Sequence, residues 1–441
     1  MSPEYLGLLS LGALFVLIFV GFPISFTLLF LGIAFGYIGF GKVVFYLMTF
    51  QVFGVMTETL LAAVPLFLFM GYVLERAGLM NRLFHGFQLL LAPVKGSLYI
   101  AVLSTATLFA AATGIVGAAV TILGVMAAPI MQKSKYSPRL SAGSIAAGGT
   151  LGMLIPPSVM LVVMGPVVGA PITELFAAAF VPGILLAGLY TVYALIRSYM
   201  NPALGPELPV DQRATSGAEI LRELFLGIIP LAFLIVAVLG SILAGLATPT
   251  DAAAMGALGS LLLALAYRRL TWANLKEAVY ATIITSSMIL LLVAASNFYG
   301  AVFARLGTAT MLAQMLLDLP FPPTMILAMI LALVFLLGWP LEWVPIVLIV
   351  IPIFLPIVTE LKIDLVWFCT LVAICLQTAW LSPPVALSAY YIKGVVPQWD
   401  LKDIYLGMMQ FMVIQVIGLL LVLYFPKIAL WLPEVLFRGG G

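Results

Sequence analysis

Apolar residues fill long stretches of this chain, and each stretch ends at a short cluster of Gly, Pro or charge. Runs at residues 6–20, 23–41, 61–76, 141–166, 174–197, 223–243, 249–266, 281–303, 365–392 and 405–425 read as membrane-spanning helices. They have the low charge and the length, about 20 residues, that a hydrocarbon core of about 30 Å requires. Two further runs, 98–131 and 325–358, break in the middle at Ala112-Thr113-Gly114 and at Gly338-Trp339-Pro340. Each is either two spans or one re-entrant hairpin, and arms of about 16 residues, short for a full crossing, favour the hairpin. Segments 43–60 and 270–281 are too polar or aromatic to span comfortably; Trp272, Lys276 and Glu277 suit a helix lying in the interface.

A proline pattern divides the chain in two. Pro93, Pro129, Pro156 and Pro157 recur, each 227 positions on, as Pro320, Pro356, Pro383 and Pro384, and Gly32 meets Gly259 at the same spacing. A double proline breaks a helix, and unwound backbone at membrane depth is tolerated only where protein buries it or it lines a cavity. Breaks paired between two halves point to the binding site of a transporter. The first repeat is then residues 1–200, with its hairpin at 98–131 and its broken helix at 141–166. A polar cytoplasmic linker covers 201–222, and the second repeat is 223–441, with its hairpin at 325–358 and its broken helix at 365–392. Five spans per half is an odd number, so the second half runs through the membrane inverted. With the N-terminus outside, 14 of the 19 Lys and Arg residues fall in cytoplasmic loops. Lys42, Arg305, Lys362, Lys427 and Arg438 stay outside, the asymmetry that positive-inside topology demands, and both termini are then periplasmic.

Composition closes off other classes. At 64% hydrophobic and 8% charged residues, with a mean hydropathy of +1.23, the chain is an all-α polytopic membrane protein rather than a soluble globule. Its first apolar run lacks the basic start and small-residue cleavage site of a signal peptide and reads as a retained helix. Cys369 and Cys375 share one apolar segment and His85, read as an interfacial loop residue, is the only histidine. That leaves no disulfide framework, zinc cluster or catalytic constellation, and no enzyme is expected. No G-x-x-x-x-G-K-[ST] sequence for an ATP-driven pump occurs, and a net charge of +2 spread over loops does not make a nucleic-acid surface.

The chemistry concentrates at the breaks. The first constellation joins Thr113 and Gly114 to the stretch from Gly148 to Ser158, with Gly149, Thr150 and Pro156 as candidate sodium ligands. The second joins Gly338 to Thr378-Ala379-Trp380-Leu381-Ser382-Pro383-Pro384, with Gly338, Thr378 and Pro383 in the same role. Hydroxyls and freed carbonyls suit a hard monovalent cation, and a chain of acidic residues for proton relay is missing. Ser158, Asn297, Ser382 and Ser388 are the candidate substrate contacts, and half-helix N-termini aimed into a cavity favour an anionic group. The alternative for any single Gly, Ser or Thr is close helix packing, and for the prolines a simple kink. Asn297 serves the cavity or a packing hydrogen bond, and Glu342 is either a site carboxylate or a rim group. Asp251, after Thr248-Pro249-Thr250, reads as a helix cap, while Glu58 and Glu75 read as solvated groups near the membrane faces.

On the stretches Gly149 to Ser158, Ile351-Pro352-Ile353-Phe354-Leu355-Pro356-Ile357 and Ser382-Pro383-Pro384 with Lys393-Gly394 downstream, the chain resembles the DctM family, the large membrane subunit of the tripartite ATP-independent periplasmic (TRAP) transporters. The resemblance covers essentially the whole chain. It implies an elevator-type secondary transporter of the bacterial inner membrane that takes up organic acids on a sodium gradient and needs no cofactor beyond that ion. It also implies two partners: a small four-helix membrane subunit resembling DctQ, expected as a separate polypeptide, and a periplasmic solute-binding protein. Asp251 stands where the family more often has Glu, which leaves a capping role intact. The competing reading is a stand-alone ion-coupled anion carrier of the wider inverted-repeat class.

Overall fold

A computed structural model describes residues 2–439 apart from 115, 210–212, 214–215, 342 and 384–385, with the side chains of 111–113 also outside the description. Glu342, Pro384 and the Thr113 side chain therefore lie outside the described residues. The described chain is all-helical. Helices α1 (Pro3–Val20), α2 (Ile24–Phe40) and α3 (Val43–Thr57) lead through a 3₁₀ turn at Thr59–Ala62 into α4 (Ala63–Arg76) and α5 (Leu79–Leu91). Then α6 (Ser97–Thr113) and α7 (Val116–Lys133) form a helical hairpin, α8 (Pro138–Thr150) and α9 (Val159–Val168) the two parts of a broken helix, and α10 (Ile172–Met200) closes the half.

The second half runs α11 (Gly217–Leu243), α12 (Pro249–Ala266), α13 (Trp272–Arg305), α14 (Thr308–Leu317) and α15 (Pro323–Leu337). The arm after α15 combines α16 (Trp343–Pro345), a π turn (Ile346–Val350) and α17 (Ile351–Glu360) into one apolar run. A second broken helix follows as α18 (Leu365–Gln377) and α19 (Leu387–Val395), before α20 (Leu401–Tyr424) and α21 (Lys427–Pro433). Nine helical runs among the described residues are long and apolar enough to cross a membrane.

Element boundaries repeat at the spacing of the prolines. Adding 227 to the bounds of α7, 116–133, gives 343–360, the run from α16 to α17; adding it to α8, 138–150, gives 365–377, the bounds of α18. The 3₁₀ turn Leu151–Met153 meets the 3₁₀ turn Thr378–Trp380 by the same shift. Two left-handed non-glycine residues also correspond, Lys135 (φ 60°) and Lys362 (φ 53°), since 362 − 135 = 227.

Local chemistry starts these helices where the chain needs them. Asp364 caps α18 by accepting from the Trp367 backbone N–H at 3.0 Å. At α12, Thr248 Oγ1 accepts from the Asp251 N–H at 3.1 Å and donates to Asp251 Oδ2 at 2.6 Å, so Thr248 is the cap and Asp251, the third residue of the helix, holds its hydroxyl in place. The linker is tighter than a tether. Gly96 N–H donates to Gly205 O at 2.9 Å, Ser137 N–H to Leu204 O at 2.9 Å and Leu208 N–H to Ala92 O at 3.2 Å, so residues 204–208 are stitched onto the base of the first hairpin.

Two expectations are corrected. Residues 272–281 are not a separate interfacial helix but the first turns of α13, which runs 34 residues without a break. No proline interrupts it and its one glycine, Gly300, lies near the far end; at 1.5 Å per residue it is about 51 Å long, more than a bilayer core, so its polar start projects beyond the hydrocarbon. His85 is exposed on the amphipathic α5 rather than in a loop.

Candidate functional site

The first break is built from two chain reversals in contact. The hairpin turns at Gly114, whose φ of 61° a side chain would strain, and α7 starts at Val116. Facing it, α8 tightens into the 3₁₀ turn Leu151–Met153, and residues 154–158 then run without helix because Pro156 and Pro157 have no N–H to donate. A Cβ on Gly114 would lie 3.5 Å from Val159 N and 3.7 Å from Pro157 O, and one on Gly152 would lie 3.7 Å from Gly114 Cα. The turn and the unwound segment therefore touch. Ser158 Oγ donates to Met153 O at 2.5 Å across the break, and Thr150 Oγ1 donates to Ala147 O at 2.8 Å, each leaving its lone pairs available to a cation.

Gly149 belongs to the packing. A Cβ there would fall 2.3 Å from Val120 Cγ2, and one on Gly148 would fall 2.9 Å from the Ala106 Cβ, so this glycine pair lets α8 nest between both hairpin arms.

The second break repeats the arrangement with different residues. Gly338 sits against the 3₁₀ turn Thr378–Trp380, where its added Cβ would be 3.0 Å from the Ala379 Cβ. Thr378 Oγ1 donates to Cys375 O at 2.5 Å, and Ser382 Oγ donates to Thr378 O at 2.6 Å, just before Pro383. A cavity of about 210 Å³ opens between Gly338, Leu341, Trp343, Ala379 and Trp380. Ser388 lies on α19 with its hydroxyl buried and no hydrogen-bond partner among the described residues. One feature escaped sequence reading: Gln415 Nε2, from α20, donates to Gln377 Oε1 at 2.8 Å and to Ile374 O at 3.0 Å, tying that helix to the end of α18. Its sequence signal was a lone amide in the apolar run 411–424, and the structure buries it fully.

Both breaks border one larger cavity of about 380 Å³. Val116, Val159 and Trp343 line it, and each is the first residue of a helix, α7, α9 and α16 respectively. Three helix starts thus border one space, and the first turn of a helix carries partial positive charge. The remaining wall comes from α4 and α13, where Tyr72 Oη and Thr285 Oγ1 are 2.7 Å apart, and from the Trp380 and Tyr391 rings, stacked at 6.3 Å and 20°.

Two assignments change here. Glu75 is not a freely solvated surface group: its side chain is 24% exposed and lines this cavity, on the face of α4 that also carries Leu68 and Tyr72 at i−7 and i−3. Asn297 lies about 120° around α13 from Thr285 and so misses the cavity. Its Nδ2 donates to Gln51 Oε1 at 3.0 Å, and it borders a separate cavity of about 150 Å³ together with Glu58.

Comparison with known proteins gives one consistent result. The family described as the tripartite ATP-independent periplasmic transporter, DctM component, matches residues 11–428. The sialic acid TRAP transporter large permease protein SiaM of Vibrio cholerae is 31% identical, over 96% of this chain and 97% of that protein. The C4-dicarboxylate TRAP transporter large permease protein DctM of Rhodobacter capsulatus is 28% identical, over 85% of this chain and 87% of that protein. The crystal structure of the YdaH transporter of Alcanivorax borkumensis matches with a TM-score of 0.62 at 17% identity, covering 87% of this chain and 88% of that one, a likeness of fold.

Proposed function

Because the chain belongs to the DctM component family of the tripartite ATP-independent periplasmic transporters and is a multi-pass large permease of that kind, we propose that it takes up an organic acid on a sodium gradient. A periplasmic solute-binding protein delivers the acid, and a small membrane subunit braces the permease. The observation that carries the reading is the pair of helix breaks, each against a hairpin turn and both bordering the same cavity. Around Gly114, Thr150, Pro157 and Ser158 in the first half, and around Gly338, Thr378 and Ser382 in the second, the donor set is hydroxyl and carbonyl oxygen. Such oxygens suit sodium, and the helix starts that border the cavity carry partial positive charge that suits the carboxylate of the acid. The two halves act as inverted repeats, and the hairpins with their broken helices form the part that moves, as in an elevator.

The reading is tested by reconstituting the permease with its small subunit in liposomes and supplying the loaded binding protein outside. Uptake is expected with an imposed inward sodium gradient. Equal uptake on a proton gradient alone, without sodium, would contradict it.

A further inference from the structure

We propose that a second cavity, adjoining the one between the helix breaks, holds the phosphate of an anionic phospholipid. It has a volume of about 320 Å³ and lies where α4 and α12 end and α5 begins. Arg76 at the end of α4, Asn81 and Arg82 on α5, and Tyr267 and Arg269 just after α12 border it, beside the Glu75 carboxylate. The carboxylates here gather on Arg76: its Nε donates to Glu277 Oε2 at 3.3 Å, and Glu75 Oε1 stands 3.9 Å from its Nη1. Arg82 and Arg269 have no ion-pair partner among the described residues. Three guanidinium groups against two carboxylates leave the site with positive charge to spare.

The donors are fixed in place for an anion. Arg76 Nη1 is buried with no hydrogen-bond partner among the described residues, since 3.9 Å to Glu75 is too long for a hydrogen bond. A phosphate oxygen supplies the acceptor that Nη1 lacks, and hydrogen bonds between guanidinium and phosphate are among the stronger ones. The Arg82 guanidinium lies over the Tyr267 ring, 5.2 Å from its centroid, a contact that steadies it without neutralising it. Arg269 sits on a fastened turn: after the left-handed Arg268 (φ 55°), its N–H donates to Ala264 O at 2.9 Å and its carbonyl accepts from Asn274 Nδ2 at 2.8 Å.

The place of the cavity favours a lipid over a free anion. The runs that end in α4 and α12 are long and apolar enough to cross a membrane, so their ends mark its surface. Trp272, 78% exposed, and Tyr280 stand on the first turns of α13 at this end, and such aromatic residues settle at head-group level. From the same end, Leu265, Leu262 and Leu258 run back along α12 as one exposed apolar face, a bed for acyl chains. Basic pockets between spanning helices hold lipid head groups in this way.

The test uses the full-length protein purified in an uncharged detergent, its thermal unfolding midpoint read against added phosphatidylglycerol, phosphatidylcholine or inorganic phosphate. A ligand that binds only the folded protein raises the midpoint. Phosphatidylglycerol is expected to raise it in the wild type and the other two to leave it unchanged. In the double variant Arg82→Gln with Arg269→Gln, the half-maximal mole fraction of phosphatidylglycerol is expected to rise by about tenfold or more. Lys133→Gln with Arg222→Gln, which removes the same charge from exposed residues outside the cavity, keeps the wild-type value. Arg269→Gln alone shows a smaller rise and decides the matter if the double variant does not fold. No response to phosphatidylglycerol in the wild type, or an undiminished one in the cavity variants, overturns the proposal. An equal loss in the Lys133 and Arg222 pair also overturns it, because the lipid then answers to net charge alone. So does equal stabilisation by phosphatidylcholine, which assigns the effect to acyl chains, or by inorganic phosphate, which assigns the cavity to a free anion.

Discussion

Replacing Pro156 and Pro157 together with alanine is expected to lower sodium affinity by more than about a hundredfold and to abolish uptake, while the protein still inserts and folds. Alanine restores two N–H groups and removes the ring clash with the preceding turn, so the segment between Leu154 and Ser158 is free to continue α8 into α9. The carbonyls of the unwound segment, of which Pro157 O faces the Gly114 turn, would then be taken up by helix hydrogen bonds. Losing two or more oxygen ligands to a cation, each contributing about 1.5–3 kcal/mol as hydrogen bonds to charge do, gives that hundredfold. The fold survives because every residue from Leu140 to Met164 is buried and packed by neighbours that the substitution does not touch. Sodium-dependent thermal stabilisation measured beside uptake decides the matter. Wild-type values for both would make the prolines mere kinks.

Gly407→Ala is expected to destabilise the protein by about 3 kcal/mol or more, the upper range for overpacking. A Cβ at Gly407 on α20 would lie 1.9 Å from the Arg139 carbonyl oxygen, 2.8 Å from the Arg139 carbonyl carbon and 3.1 Å from Gly143 N on α8. All three are backbone atoms, so no rotamer change relieves the contact, and α8 must be pushed off α20. The ion pair between Arg139 Nε and Asp403 Oδ1 at 2.6 Å, beside the same crossing, would be disturbed with it. Because α8 leads into the first break, the sodium response should fall too. Gly188→Ala in α10, where an added Cβ meets nothing within 4 Å, serves as the control and should be neutral or gain up to about 1 kcal/mol of helix propensity. Equal unfolding midpoints for the two variants would show that the crossing tolerates a side chain.

What the sequence revealed and what it hid divide along physical lines. The hairpin turn at Gly114, the breaks at Pro156-Pro157 and at Pro383, and the cap formed by Thr248 with Asp251 were legible because Gly, Pro and Thr-x-x-Asp act on their own backbone within a turn or two. Whatever depends on how helices face each other was not. Asn297 looked like a cavity residue until the rotation of α13 turned it toward Gln51. Glu75 looked solvated because a charge at the end of an apolar run usually is, and only the packing of α4 beside α9 and α13 turned it inward. Gly149 looked like a ligand position, yet its work is to let Val120 approach. The polarity of Trp272, Lys276 and Glu277 suggested a boundary where α13 has none, since polarity marks the membrane face while helix continuity depends on the absence of breakers.

The central claim is that the two halves are the same structure inserted in opposite senses around one cavity. Lys135 and Lys362 test it most directly, because they are equivalent residues in equivalent loops, both left-handed, following α7 and α17. Each is replaced singly by cysteine and challenged with a membrane-impermeant thiol reagent from either side of the membrane. The buried Cys369 and Cys375 should stay silent. The account predicts that the cysteine at 135 reacts only from the cytoplasm and the cysteine at 362 only from outside; reaction of both from the same side would contradict it.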